Sequence, residues 1–148
     1  VNAEPNLPIE WIENKSITSI ISSMKSKHIL IISDSCYSGL LTRGGNQQIN
    51  QDFGSREIFL QRMNDKKSRL VLTSGGKEPV LDGGGGEHSI FAKSLIKILN
   101  DNLVEMTISE ISKKITSNVI LNSDQTPEFS PLHKSGHDGG EFIFVPKI

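Results

Sequence analysis

The chain has a single cysteine, no long apolar run and almost no net charge, and each shortage removes a class of protein. One thiol excludes an internal disulfide framework and any multi-cysteine metal site, and it fits a reducing compartment such as the cytoplasm. The longest apolar stretches, residues 29–32 and 142–145, fall far short of a membrane span. The opening Val1-Asn2-Ala3-Glu4-Pro5 has neither the basic region nor the apolar run of a signal peptide. It also lacks an initiator methionine, which suggests that residue 1 is not a natural start. A net charge of −1 provides no whole-molecule field to attract a polyanion. The short cluster Lys25, Lys27 and His28 reads as a solvated helix end beside an apolar strand. Neither nucleic acid nor a membrane is therefore an expected partner.

What is present describes a soluble protein with one core. The 148 residues are 35% hydrophobic and 22% charged, the balance of an ordinary globular domain. Residues 1–15 read as an entering loop with a turn around Trp11. Ser16 is placed to cap a helix running to about Lys25, with Ile17, Ile20, Ile21 and Met24 at i, i+3, i+4 and i+7. His28 to Ser33 is a continuous apolar run without alternation, the pattern of a strand buried on both faces in a parallel sheet. A polar loop over residues 44–55 precedes a short helix through Ile58, Phe59 and Met63, and residues 69–74 form a second buried strand. Four consecutive glycines, Gly83 to Gly86, mark a loop expected to move. A helix follows over residues 89–100, with Ile90, Phe91, Leu95, Ile98 and Leu99 inward. Thr107-Ile108-Ser109-Glu110 is a capping box, opening a helix striped by Ile108, Ile111, Ile115 and Val119. A turn-rich segment containing Thr126-Pro127, Ser130-Pro131 and Gly139-Gly140 leads to a last strand at residues 142–145. This order predicts an α/β layered domain with helices packed on a mostly parallel sheet.

Cys36 follows the first strand, where ligand sites of open α/β sheets gather. Its small neighbours Ser35, Ser38 and Gly39 leave room for a substrate backbone, as a nucleophilic thiolate needs. The segment Ile31-Ile32-Ser33-Asp34-Ser35-Cys36-Tyr37-Ser38-Gly39 resembles the nucleophile segment of caspase-like cysteine peptidases of the metacaspase and bacterial type. Residues 69–74, the run His88-Ser89-Ile90-Phe91 and Gly139-Gly140-Glu141-Phe142-Ile143-Phe144 are similar to later elements of the same family. The resemblance implies a caspase-like three-layer sandwich, of which residues 1–148 are the C-terminal portion with the N-terminal strands missing. It implies a protease in which Cys36 attacks the scissile carbonyl and a histidine shuttles protons. Asp34 matches the acid at the base of the S1 pocket, which would pair with a substrate Arg or Lys. Ser74, Glu78 and Asp82 fall on or beside the loop that borders the substrate groove. Protein or peptide substrates and an upstream fragment of the same domain are the implied partners. No cofactor is implied, and no calcium requirement either, since Leu40, Leu41, Thr42 and Arg43 carry no carboxylate.

One family feature is missing. The general base should lie 40 to 50 residues before the nucleophile, roughly where the family pattern puts it, yet only His28 precedes Cys36. His28 sits at the far end of the same strand, roughly 20 Å away at ~3.3 Å per residue. His88 reads as a helix-start residue, and His133 and His137 as exposed turn residues. The base is therefore expected from an upstream segment. The competing reading is a non-catalytic caspase-like scaffold that binds a partner.

Overall fold

The computed structural model describes residues 14–34, 55–75 and 88–147. The turn around Trp11, most of the loop 44–55 and the glycine run at 83–86 lie outside them, as do Cys36, Glu78 and Asp82. The described residues form a mixed α/β architecture, with four helices and two small sheets among them.

The central strand is β2 (Ser68–Thr73), whose six residues are all buried. It pairs in parallel with β1 (His28–Ser33), in register from His28 opposite Ser68 to Ser33 opposite Thr73. On its other side runs β4 (Glu128–Pro131), antiparallel, with Leu72 opposite Phe129. Side chains of a strand alternate between faces, so the apolar run of β2 supplies two cores at once. Val71 packs with Ile29, Ile31 and Leu132 against Ile17 and Ile21 of α1 (Asn14–Ser23). Leu70 and Leu72, with Leu30 and Phe129, meet the helices on the opposite face.

Those helices are α3 (Ile90–Asn100) and α4 (Ile108–Asn122), packed on each other as well as on the sheet. The capping box forms as the sequence predicts. Thr107 Oγ1 accepts from the Glu110 N–H at 3.2 Å, and a Glu110 oxygen accepts from the Thr107 N–H at 2.9 Å. The predicted stripe of Ile108, Ile111, Ile115 and Val119 has no exposed surface at all. Burying each such side chain stabilises the fold by about 2 kcal/mol. In α3, Phe91 is buried and Ile90, Leu95, Ile98 and Leu99 pack around it.

Four local expectations need correction. β1 is only half-buried and exposes Ile32, because among the described residues it has a partner strand on one side alone. Residues 128–131, read as turn-rich, form β4; their backbone follows the ladder of β2 despite weak strand propensity, a preceding Pro127 and Pro131 as the last residue. The last strand, β5 (Ile143–Phe144), does not join the main sheet. It pairs antiparallel with β3 (Met106–Thr107) at the start of α4. Helix α2 (Arg56–Asp65) buries Leu60 and exposes Ile58. Its roll is set by Arg56, whose guanidinium grips the Glu110 carboxylate at 2.8 and 3.0 Å and the Glu105 carbonyl at 2.6 Å. Helix α1 begins before Ser16, which lies inside it.

Gly140 closes the structure at the α2–β2 junction. A Cβ there would stand 2.2 Å from the Lys66 carbonyl oxygen, so only glycine allows the approach. The gap is used by two backbone bonds, from Asp138 and Gly140 N–H to the Lys67 carbonyl.

Candidate functional site at the carboxyl end of the parallel strands

Because β1 and β2 are parallel, both end on the same edge of the sheet. Asp34 follows β1 directly, and Ser74 follows β2, its N–H donating to the Ser33 carbonyl at 3.0 Å. Ser74 is fully buried, and its hydroxyl has no hydrogen-bond partner among the described residues. Gly75 then turns the chain at a φ of 145°, close against the backbone of Thr126.

A third element reaches this edge. Ser89, the N-cap of α3, accepts from the Ala92 N–H at 2.9 Å and donates its own proton to Asp34 Oδ2 at 2.5 Å. One hydroxyl therefore ties the end of β1 to the start of α3, across 55 residues of sequence. Ser89 itself is buried, whereas Asp34 remains exposed to solvent. Of the residues predicted for the site, Asp34 and Ser74 thus sit on one edge. Cys36 lies two residues beyond Asp34 in sequence, outside the described residues with Glu78 and Asp82.

The histidines divide differently from the sequence expectation. His28 stands at the opposite end of β1 from Asp34, with Nδ1 3.1 Å from the Ser68 hydroxyl. His88 is exposed beside the α3 N-cap, and His133 is exposed. His137 is not an exposed turn residue. Its Nδ1 accepts the Arg69 backbone N–H at 3.1 Å, an acceptor role that demands a neutral ring. Burial, and secondarily the Arg69 charge, hold its pKa below the ordinary imidazole value against the pull of Asp138.

Two other polar residues were not legible as special. Arg69 is fully buried, and its guanidinium donates to the carbonyls of Met24, Ser26, Lys27 and Ser68. In sequence it is merely the first charged residue of a strand. Glu141 is buried against the start of α4, accepting from the Ser109 hydroxyl and more weakly from its N–H. Burial pushes its carboxyl above the usual range, opposed by those two Ser109 bonds. Among the described residues no three His, Cys, Asp or Glu side chains converge as metal ligands, and no helix is long and apolar enough to cross a membrane.

Compared with known proteins, the chain matches no family model, and no curated protein or solved structure is significantly similar to it.

Proposed function

We propose that this chain is the C-terminal part of a caspase-like cysteine endopeptidase domain that cleaves after Arg or Lys. The observation that carries the reading is the segment Asp34-Ser35-Cys36-Tyr37-Ser38-Gly39, directly following a parallel strand. Helices on both faces of the sheet and a nucleophile segment at its carboxyl edge are compatible with the caspase-like sandwich.

In this reading the Cys36 thiolate attacks the scissile carbonyl, and the backbone N–H of Cys36 helps hold the developing oxyanion. The tetrahedral adduct collapses to a thioester as the amine leaves with a proton from the general acid, and water then releases the enzyme. That acid–base group is a histidine from an upstream segment, the order that the resemblance implies; His28 stands at the far end of β1, His137 is committed to the Arg69 backbone, and His88, beside Ser89, follows the nucleophile in sequence. The exposed Asp34 carboxylate receives the substrate guanidinium or ammonium group. The resemblance would also bring Ser74, Glu78 and Asp82 to the substrate groove, and of these Ser74 is buried. One thiol acting as a nucleophile suits a reducing, cytoplasmic setting.

Only His28 precedes Cys36, and it stands at the far end of β1, which favours one second reading, a non-catalytic caspase-like scaffold. The deciding experiment assays the full-length protein on peptides with Arg, Lys or Asp at P1, beside Cys36→Ala. Cleavage after Arg and Lys that disappears in Cys36→Ala is the expected result. Equal activity in both proteins would sink the peptidase, no cleavage in either would leave the scaffold standing, and preference for Asp would remove the role of Asp34.

A further inference from the structure

Asp34 does not stand free at the end of β1. Its Oδ2 receives a 2.5 Å hydrogen bond from the Ser89 hydroxyl. Ser89 has no freedom to turn away, because its oxygen simultaneously caps α3 through Ala92 N–H and the residue is buried. The carboxylate is thus held by a donor whose own position is fixed by a helix of eleven residues packed into the core through Phe91. Among the described residues no hydrogen bond engages the other carboxylate oxygen, and Asp34 is exposed.

We infer that Ser89 is a positioning residue, which orients Asp34 to receive a basic P1 side chain and couples that pocket to the N-terminus of α3. The inference rests on the peptidase reading and adds to it a specificity determinant from a different element of the fold. Bidentate recognition of a guanidinium needs both carboxylate oxygens presented in one plane, and a carboxylate free to rotate about χ2 loses that presentation. A hydrogen bond to a charged group that preorganises binding without touching the reacting atoms should act on KM rather than on kcat.

The test uses the full-length protein and an Arg-P1 peptide, with Ser89→Gly, Ser89→Thr, Asp34→Asn and the double variant Asp34→Asn/Ser89→Gly. Glycine is tolerated at an N-cap, so Ser89→Gly removes the bond to Asp34 while α3 stays formed; threonine keeps the hydroxyl. Ser89→Gly is expected to raise KM about tenfold with kcat within about twofold, and Ser89→Thr to restore KM. In the Asp34→Asn background, Ser89→Gly should change KM no further. A merely structural cap would lower thermal stability and affect KM equally in both backgrounds. Wild-type KM in Ser89→Gly, or an effect undiminished in the Asp34→Asn background, overturns the role of Ser89. The Cys36→Ala control separates the two levels: activity surviving there refutes the peptidase itself, whereas activity lost there with Ser89→Gly unchanged refutes only the positioning role.

Discussion

The two ends of β2 differ in what their polar groups do, although each buries one polar atom with no partner among the described residues, Arg69 Nε at the amino end and Ser74 Oγ at the carboxyl end. At the amino end, Arg69 places four donors on the carbonyls of Met24, Ser26, Lys27 and Ser68, and its N–H is taken by His137. His28 meets Ser68 there, and Gly140 and Asp138 hold the Lys67 carbonyl. At the carboxyl end, Ser74 buries a hydroxyl with no partner among the described residues, and Asp34 keeps its carboxylate exposed. The amino end uses its polar groups to knit loops to the sheet. The carboxyl end keeps polar capacity in reserve, as a ligand-binding edge must, because a group already satisfied by the fold has little left for a substrate.

This contrast is open to direct attack. The largest effect belongs to the proposed nucleophile, since Cys36→Ala should abolish peptide cleavage while leaving the melting temperature within about 2 °C of wild type. At the other end, Arg69→Met should leave buried carbonyls without donors and cost roughly 3 kcal/mol by chemical denaturation. A melting temperature unchanged by Arg69→Met would show that the amino end is not the anchor described. The Ser89 and Asp34 variants come next, with substantial changes in KM and small ones in stability.

Two smaller effects are read from pH. The His137 pKa is depressed in the fold below its ordinary 6.5, chiefly by burial. Its stabilising contribution is therefore fully present above that value and is lost as pH falls through the lower folded one, because the unfolded chain takes up protons that the native ring refuses. His137→Gln keeps an acceptor for the Arg69 N–H but cannot titrate. Between pH 7 and 5 it should lose less stability than wild type, and parallel curves would count against the latch. Glu141 has the opposite sign. Its folded pKa is raised from 4.5, so its contribution is full below that value and lost as pH rises through the folded one. Glu141→Gln should stabilise the protein at pH 7 by under about 1 kcal/mol and lose that advantage at pH 4. Thermal melts at the two pH values read the difference.

Much of the frame was legible because its signals are local. The i, i+3, i+4 spacing of Ile108, Ile111 and Ile115 and the Thr107–Glu110 box concern residues within one or two turns, and they formed as read. The apolar runs of β1 and β2 likewise marked strands. Residues 128–131 escaped notice because their strand state comes from the ladder offered by β2, and the pairing of β5 with β3 was not foreseen because pairing choice is not encoded in a strand's own composition. In the candidate site, Asp34 and Ser74 were marked by the resemblance of the segments around them to caspase-like peptidases. Ser89 read as part of a helix start, with nothing to announce a partner in Asp34.

The sequence by itself determined the parts: helices, central strands, a capping box, and a nucleophile-like segment whose chemistry rests in six adjacent residues. Only the tertiary structure decided which polar groups are consumed. Arg69 and Glu141 are charged residues that the fold buries and His137 is half-buried against the Arg69 backbone, while Asp34 and Ser89, 55 residues apart, become a pair. The physical reason is that burial and hydrogen bonding between distant residues depend on where the sheet puts its ends. The parallel pairing of β1 with β2 brings Ser33 and Thr73 level, and with them the residues that follow.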